Sequence, residues 1–340
     1  MTSPVNENTW TAPRIELINP LPLALDHYQA SMISVLEQLG VDVIVRDAPS
    51  TEISGLSRAQ KLRRVAATVA SRWRTRTVEH PIVILWPAFG NLDQFTWPAS
   101  AGRRLVILHD PLPLRKSFAS GNVSARLAAG FATRVKTVAH SDRAVADLEL
   151  LGRRVHAQVP HPFLERSTPS GVQVARRVLV AGQFKEARDL ELMTSLGPFL
   201  RERGYLPRIV GRGWPNVPGW DVDARFVSEE ELDLELAAAE VLLLPYRRVY
   251  QSGIAIRAAE LGTPTVGFVA SNVSDIFGQD WAGLLQDNAT PLLWAQAIDE
   301  VNRIEPDAIT ARILRWKREV ISSWRSFAES EGWLVPGRRK

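Results

Sequence analysis

There is no cysteine in the 340 residues, which removes disulfide scaffolds, thiolate zinc sites and cysteine nucleophiles together. No apolar run approaches the roughly 20 residues needed to span a bilayer. The polar stretch from Met1 to Asn8 also lacks the apolar segment of a secretory signal. The expectation is a cytoplasmic protein, at most peripheral on the inner face of a membrane. Repetition with a period of about 20–50 residues is missing, which excludes a solenoid. An excess of one charge sign is missing as well: the net charge is +4, too small for the whole-molecule field to indicate nucleic acid. No His-x-x-x-His pair or carboxylate cluster argues for a metal. His140-Ser141-Asp142 lacks the Gly-x-Ser-x-Gly elbow of a hydrolase, so Ser141 reads as the cap of a following helix.

What is present is ordinary for a globular chain, 45% apolar and 23% charged, and long enough for two domains. Apolar runs of buried-strand length occur at 15–19, 41–46, 81–86, 104–109, 135–140 and 155–159. Helical patterns lie between them at 27–39, 57–77 and 143–151. That alternation predicts an α/β fold with parallel sheets covered on both faces. Turn residues cluster at Pro160-His161-Pro162 and from Ser167 to Gly171, which places an interdomain linker there. The alternation then restarts with strands at 178–181, 208–210, 241–244 and 265–268 and helices at 190–203, 229–239 and 254–261. The expected division is 1–165, 172–304 and a closing helix within 305–330. In that helix Trp316, Val320, Trp324 and Phe327 recur on one face as a docking stripe.

Two loops of the second domain carry the chemistry. The strand ending at Gly182 runs into Gln183-Phe184-Lys185-Glu186-Ala187-Arg188 before the next helix, at the strand edge where open α/β sheets bind ligands. A lysine point charge and an arginine fork there suit a diphosphate. After the strand Val241–Leu244, Gln251-Ser252-Gly253-Ile254 leads into a short helix closed by Gly262-Thr263-Pro264. Free amides and the helix dipole make that N-terminus a site for negative charge. In the first domain a strand ends at His109-Asp110-Pro111, and histidine can exchange hydrogen bonds with a sugar hydroxyl at neutral pH. Asp221-Val222-Asp223 mimics a metal-binding Asp-x-Asp motif, but its surroundings mark it as a decoy.

These segments, in this order, resemble the GT-B-fold glycosyltransferases, particularly the retaining family-4 group. The resemblance implies two Rossmann-like domains facing a cleft, with the closing helix crossing back to the N-terminal domain. It implies transfer of a hexose from a nucleoside-diphosphate sugar to a glycan or lipid-linked acceptor, without cofactor or metal and with retention. Lys185 and Arg188 take the diphosphate-holding positions, with Gly182 and Gln183 beside them; many members carry an arginine where Gln183 stands. Ser252, Gly253 and Ile254 supply loop amides, and His109 matches the histidine near the reacting centre. The sequence departs from the pattern at Val249 and Arg257, which occupy the usual sites of two glutamates. Glu260, one turn beyond Arg257, is the expected substitute for the ribose contact. The loop from Asn19 to His27 is expected to face the acceptor.

The departure keeps open a GT-B-like accessory or binding protein without transfer activity, and a nucleotide-sugar epimerase, which shares the fold, is a third possibility. The helix at 57–77 is crowded with Arg58, Lys61, Arg63, Arg64, Arg72, Arg74 and Arg76 opposite an apolar stripe of Leu62, Val65, Ala66, Val69 and Trp73. That pattern fits docking on a sheet, with a basic face for solvent or for anionic lipid, and no nucleic-acid module surrounds it.

Overall fold

The computed structural model describes residues 13–22, 24–46, 57–74, 79–87, 89–91, 93, 104–111, 124, 126, 135–167, 169, 173–247 and 249–334. Two six-stranded, all-parallel sheets organise them. The first contains β1 (Arg14–Ile18), β2 (Asp42–Arg46), β3 (Ile82–Ile84), β4 (Arg104–Ile107), β5 (Lys136–Ala139) and β6 (Ala157–Gln158) in the order β2-β1-β3-β4-β5-β6. Helices α1 (Asp26–Gln38), α2 (Arg58–Trp73) and α3 (Asp142–Leu150) connect its strands. Ser141 caps α3, its Oγ accepting from Ala144 N at 3.3 Å, as a helix-starting serine should.

The second sheet contains β7 (Arg177–Ala181), β8 (Leu206–Val210), β9 (Asp221–Asp223), β10 (Val241–Leu244), β11 (Thr265–Phe268) and β12 (Leu284–Leu285), ordered β12-β11-β10-β7-β8-β9. Its helices are α4 (Leu190–Glu202), α5 (Glu229–Ala238), α6 (Gly253–Glu260), α7 (Val273–Phe277) and α8 (Pro291–Val301). Val178 to Ala181 and Val241 to Leu244 are wholly buried, because helices cover both faces of a parallel sheet; hence continuous apolar runs rather than alternation. This is doubly wound order, and the strand direction of winding reverses between β7 and β10. The crevice beyond the carboxyl ends of those two strands is where such sheets bind ligands.

The long helix α9 (Pro306–Ser330) leaves the second sheet and docks on the first. Trp316, Val320, Trp324 and Phe327 are all buried, and Trp324 Nε1 donates to Pro160 O at 2.9 Å. Just beyond the helix, Glu331 accepts from Lys136 Nζ on β5 at 2.8 Å and from His156 at 2.6 Å. Four elements had no counterpart in the periodicity: β9, β12, α7 and α8. The Asp-x-Asp stretch is β9, an edge strand whose Asp221 pairs with Arg208 at 2.6 Å and Asp223 with Arg225 at 3.2 Å.

Helix α2 departs from its expected faces. Arg72, expected in solvent, is buried and paired with Asp93 at 2.8 Å, while Trp73, expected in the docking stripe, is 52% exposed. A guanidinium taken out of water needs an acid, and Asp93 supplies it. Arg63 and Arg74 are exposed. The side chains of Arg58, Lys61, Leu62 and Val65, and residue 76, lie outside the described residues. Among the described residues no helix is long and apolar enough to cross a membrane.

Candidate functional site

A cavity of about 360 Å³ lies between the two sheets. Its walls come from the start of α1 (Asp26, His27, Tyr28), from Trp86, His109 and Asp110 after β3 and β4, and from Lys185, Tyr246 and Val249 to Ile254 of the second domain. The loops after β1, β3, β4, β7 and β10 thus meet in one place, because parallel strands all point their carboxyl ends the same way.

Helix α6 opens on this cavity. Ser252 Oγ accepts from Ala255 N at 3.3 Å, and Asn272 Oδ1 accepts from Ser252 N at 2.9 Å while its Nδ2 donates to Ser252 O at 3.3 Å. The cap residue is therefore fixed by the start of α7. Backbone bonds resume at Ala255 and Ile256, both returning to Ser252 O. The amides of Gly253 and Ile254 precede them, at a dipole end that favours an anion.

Behind that helix start sits Arg188, 3% exposed. Its Nη2 donates to Ala181 O at 2.6 Å and its plane lies over the rings of Tyr246 (4.1 Å) and Trp214 (5.2 Å). Among the described residues, Nε and Nη1 are buried with no hydrogen-bond partner and no carboxylate pairs with the guanidinium. Burial lowers its affinity for the proton, an effect the neighbouring Tyr246 opposes. A buried cation without an acid is costly, so an arriving anion would relieve a strain already built in. A Cβ at Gly182 would lie 3.5 Å from both Arg188 Nη2 and Ile254 Cγ1. Arg188, Gly182 and Ile254 are thus brought together. Lys185 lines the cavity and is exposed, whereas Gln183 is exposed outside it, accepting from Arg212 at 3.3 Å.

The same loop depends on a glycine contact. Gly211 has φ +141°, and a Cβ there would stand 2.3 Å from Gly182 O. Gly211→Ala is expected to push the 182–188 loop away and lower stability by on the order of 1–3 kcal/mol, with nucleotide affinity falling in parallel. A thermal melt and a nucleotide titration check both; an unchanged melting temperature would show that the two loops can separate freely.

Arg257 and Glu260 are placed differently from expectation. Arg257 touches the cavity wall, yet its guanidinium is held by Asp233 and Glu229, with Nη2 donating to Glu229 O at 2.8 Å. Glu260 does not line the cavity. Its carboxylate is 0% exposed and accepts from Leu164 N at 2.7 Å and from His27 Nε2 at 2.8 Å, with Arg166 Nε at 3.2 Å. The turn of helix that separates it from Arg257 carries it to the linker, so the ribose contact expected of it has no basis in this placement. Arg166 also reaches Asp233, so one ionic chain runs from His27 through Glu260, Arg166, Asp233 and Arg257 to Glu229.

His109 is 8% exposed. Its Nε2 lies 3.1 Å from Leu85 O, which only accepts, so Nε2 carries the proton and Nδ1 accepts from Gln251 Nε2 at 2.6 Å. Burial, with His140 nearby, pushes its pKa down to about 3. His140 donates Nδ1–H to Val159 O at 2.7 Å and accepts Tyr28 O–H at 2.7 Å; burial lowers it to about 4. His161 donates Nδ1–H to Pro162 O at 2.6 Å, and burial drives it well below its ordinary value. Tyr28 packs edge-on to His109 and His161, at 4.5 and 5.0 Å between ring centres. Sequence inspection singled out only His109 of this trio, since no spacing links residues 109, 140 and 161.

The architecture is that of the GT-B fold: two Rossmann-like sheets, a cleft between them and a closing helix returned to the first. Solved structures agree. The HepE protein of Anabaena in complex with UDP and glucose is 14% identical, with 94% of this chain and 100% of that chain covered and a TM-score of 0.63. Sucrose-phosphate synthase of Thermosynechococcus elongatus is 13% identical over 94% of this chain and 97% of that one, with a TM-score of 0.62. TarM is 12% identical over 74% of this chain, with a TM-score of 0.57, and the chain spans about half of TarM's length, 53%. No protein-family model matches the sequence, and no curated protein matches it.

Proposed function

We propose that the protein is a glycosyltransferase that takes a hexose from a nucleoside-diphosphate sugar and passes it to a hydroxyl of a glycan or glycolipid. The observation that carries this is the junction of Arg188, Gly182 and Ile254: a buried guanidinium with two unpartnered nitrogens lies against the open start of α6, at the sheet's switch point. A diphosphate would satisfy the cation and the Gly253 and Ile254 amides together, with Lys185 closing from the exposed side. HepE, of the same fold, is described in complex with UDP and with UDP-glucose. Charge building on the leaving diphosphate would be met by this fixed positive field without reorganisation.

His109 faces the same space but has both ring nitrogens engaged, so a sugar hydroxyl would have to replace Gln251 at Nδ1. Arg257 shapes the wall through its acids instead of meeting the donor. The exposed Arg63, Trp73 and Arg74 of α2 are the residues a contact with an anionic membrane would use. Among UDP, GDP, ADP and dTDP, one is expected to raise the melting temperature, since a ligand bound 100-fold above its Kd stabilises by about 2.7 kcal/mol. No shift with any of the four would remove the donor site. Turnover of donor with no acceptor but water, and without a change of sugar, would separate transfer from epimerisation.

A further inference from the structure

We infer that His27, held by Glu260, is the residue through which the first domain grips a hydroxyl of the sugar-bearing acceptor. The inference rests on the cleft function proposed above and adds to it the group that meets the second substrate.

Four of the chain's six histidines surround the cleft, and their ring nitrogens can be accounted for one at a time. His109 has both committed, to Leu85 O and to Gln251. His140 has both committed, to Val159 O and to Tyr28. His161 also lines the cavity and has no hydrogen bond at Nε2 among the described residues, but it is 8% exposed and its Nδ1 is held by a backbone carbonyl and not by a carboxylate. His27 differs in kind. Its Nε2 lies 2.8 Å from a Glu260 carboxylate oxygen, an acceptor only, so Nε2 carries the proton and Nδ1 presents a lone pair. Its side chain is 16% exposed, it lines the cavity, and among the described residues no hydrogen bond engages Nδ1.

A carboxylate behind an imidazole fixes the tautomer and the orientation of the ring, as it does for histidines that bind metals. Glu260 is itself immobile, because Leu164 N and Arg166 hold it from the linker side. His27 sits at the first turn of α1, whose backbone is pinned there by Ser31 Oγ donating to His27 O at 2.8 Å. The result is one rigid, outward-facing acceptor of an O–H, on the domain opposite the cations at Arg188 and Lys185. Such a nitrogen recognises a neutral hydroxyl. The charged groups around it are Glu260 and Arg166 behind and Asp26 beside it on α1, and Arg166 is already engaged by Glu260 and Asp233.

The test uses the full-length protein with UDP and D-glucose as probes. Isothermal titration of UDP, then of glucose with and without UDP, is made on wild type, His27→Gln, His27→Phe and Glu260→Gln. The expected result is UDP affinity within twofold of wild type in both His27 variants, and glucose affinity at least tenfold weaker, the scale of one hydrogen bond. In 15N-histidine-labelled protein, glucose should move the His27 Nδ1 resonance, and Glu260→Gln should replace the Nε2–H tautomer by a mixture. Glucose bound equally by wild type and His27→Phe would overturn the role. So would glucose binding that leaves the His27 resonance in place. Failure of UDP to bind wild type would remove the donor site alone, since the glucose arm without UDP still reads His27. A melting temperature for each variant separates loss of the hydroxyl contact from loss of the fold.

Discussion

Lys185→Ala is expected to lower turnover of a nucleoside-diphosphate sugar by about 10²–10³-fold, equivalent to roughly 2.7–4 kcal/mol in the barrier. The fold should be undisturbed, because Lys185 is exposed on the loop that lines the cleft and its side chain makes no hydrogen bond or ion pair with a described residue. Arg188→Ala should be at least as damaging to turnover but for a second reason too. Arg188 is buried and donates to Ala181 O, so its loss leaves a buried carbonyl unpaired, at about 1–3 kcal/mol. Arg188→Lys separates the two effects: it keeps a charge while losing the planar fork and its stacking on Tyr246. The measurements are the initial rate at saturating UDP-glucose and the rise in melting temperature on adding UDP. In Arg188→Ala that rise should vanish. A wild-type rate in Lys185→Ala would take the lysine out of the mechanism and leave the α6 amides and Arg188 as the only phosphate contacts.

Acidification should destabilise the protein well before most of its carboxylates protonate. His109, His140 and His161 are neutral in the fold, with pKa values depressed by burial, whereas an unfolded histidine takes a proton near pH 6.5. Below that pH the unfolded chain binds more protons than the folded one, so stability falls as pH falls. The stabilisation is fully present above about pH 6.5; its loss continues towards pH 4 for His140 and pH 3 for His109. Each ring contributes a slope approaching 1.4 kcal/mol per pH unit. Three acting together would consume a typical stability of about 5–15 kcal/mol within a few units. Glu16 and Glu331 are held below their ordinary values despite burial, by Arg46 and by Lys136 respectively with a histidine assisting each. Their contribution is lost only below about pH 4.5. Asp275, whose pKa burial raises to about 6, gains a proton in the fold first and opposes the imidazoles by one proton below that pH. The net fall between about pH 6.5 and 4.5 therefore comes from the imidazoles. Melting temperatures at pH 7.5, 6.5, 5.5 and 4.5 read the effect directly. His161→Phe keeps a ring in place and should flatten the slope by about one proton. A melting temperature constant from pH 7.5 to 4.5 would mean that water reaches these rings.

Most of the strands could be read from the chain because buried parallel strands announce themselves as continuous apolar runs. Val241–Leu244 and Thr265–Phe268 came out with the bounds that the structure has. Strand β12, two residues long, and α7, five residues long, are too short for a period to show. Helix α8 has its apolar residues crowded as Leu292, Leu293 and Trp294, and exposed leucines at 292 and 293 blur the stripe that Trp294, Ala297, Ile298 and Val301 make. Helix α2 misled in the opposite sense: a period of 3.6 locates a face but cannot say which face is inside when a buried aspartate, Asp93, is supplied from 21 residues away along the chain.

The site divides in the same way. Lys185, Ser252, Gly253 and Ile254 were legible as a group, since a glycine-containing loop between a buried strand and a helix must expose amides at that helix start. That consequence is local and needs no partner. Glu260, Arg257 and the histidines were not legible as a group. A carboxylate three residues from a cavity-lining Arg257 can face the cleft or the linker, and the difference is set by His27 and Leu164, 233 and 96 residues away. Backbone geometry and strand burial are written in neighbouring residues, so the order of strands and helices and the open start of α6 could be read directly. The neutral imidazole cluster, the bare guanidinium of Arg188 and the His27–Glu260 pair exist only because two sheets and a returning helix close over them, since excluding water is a property of the assembled domains and of no short segment.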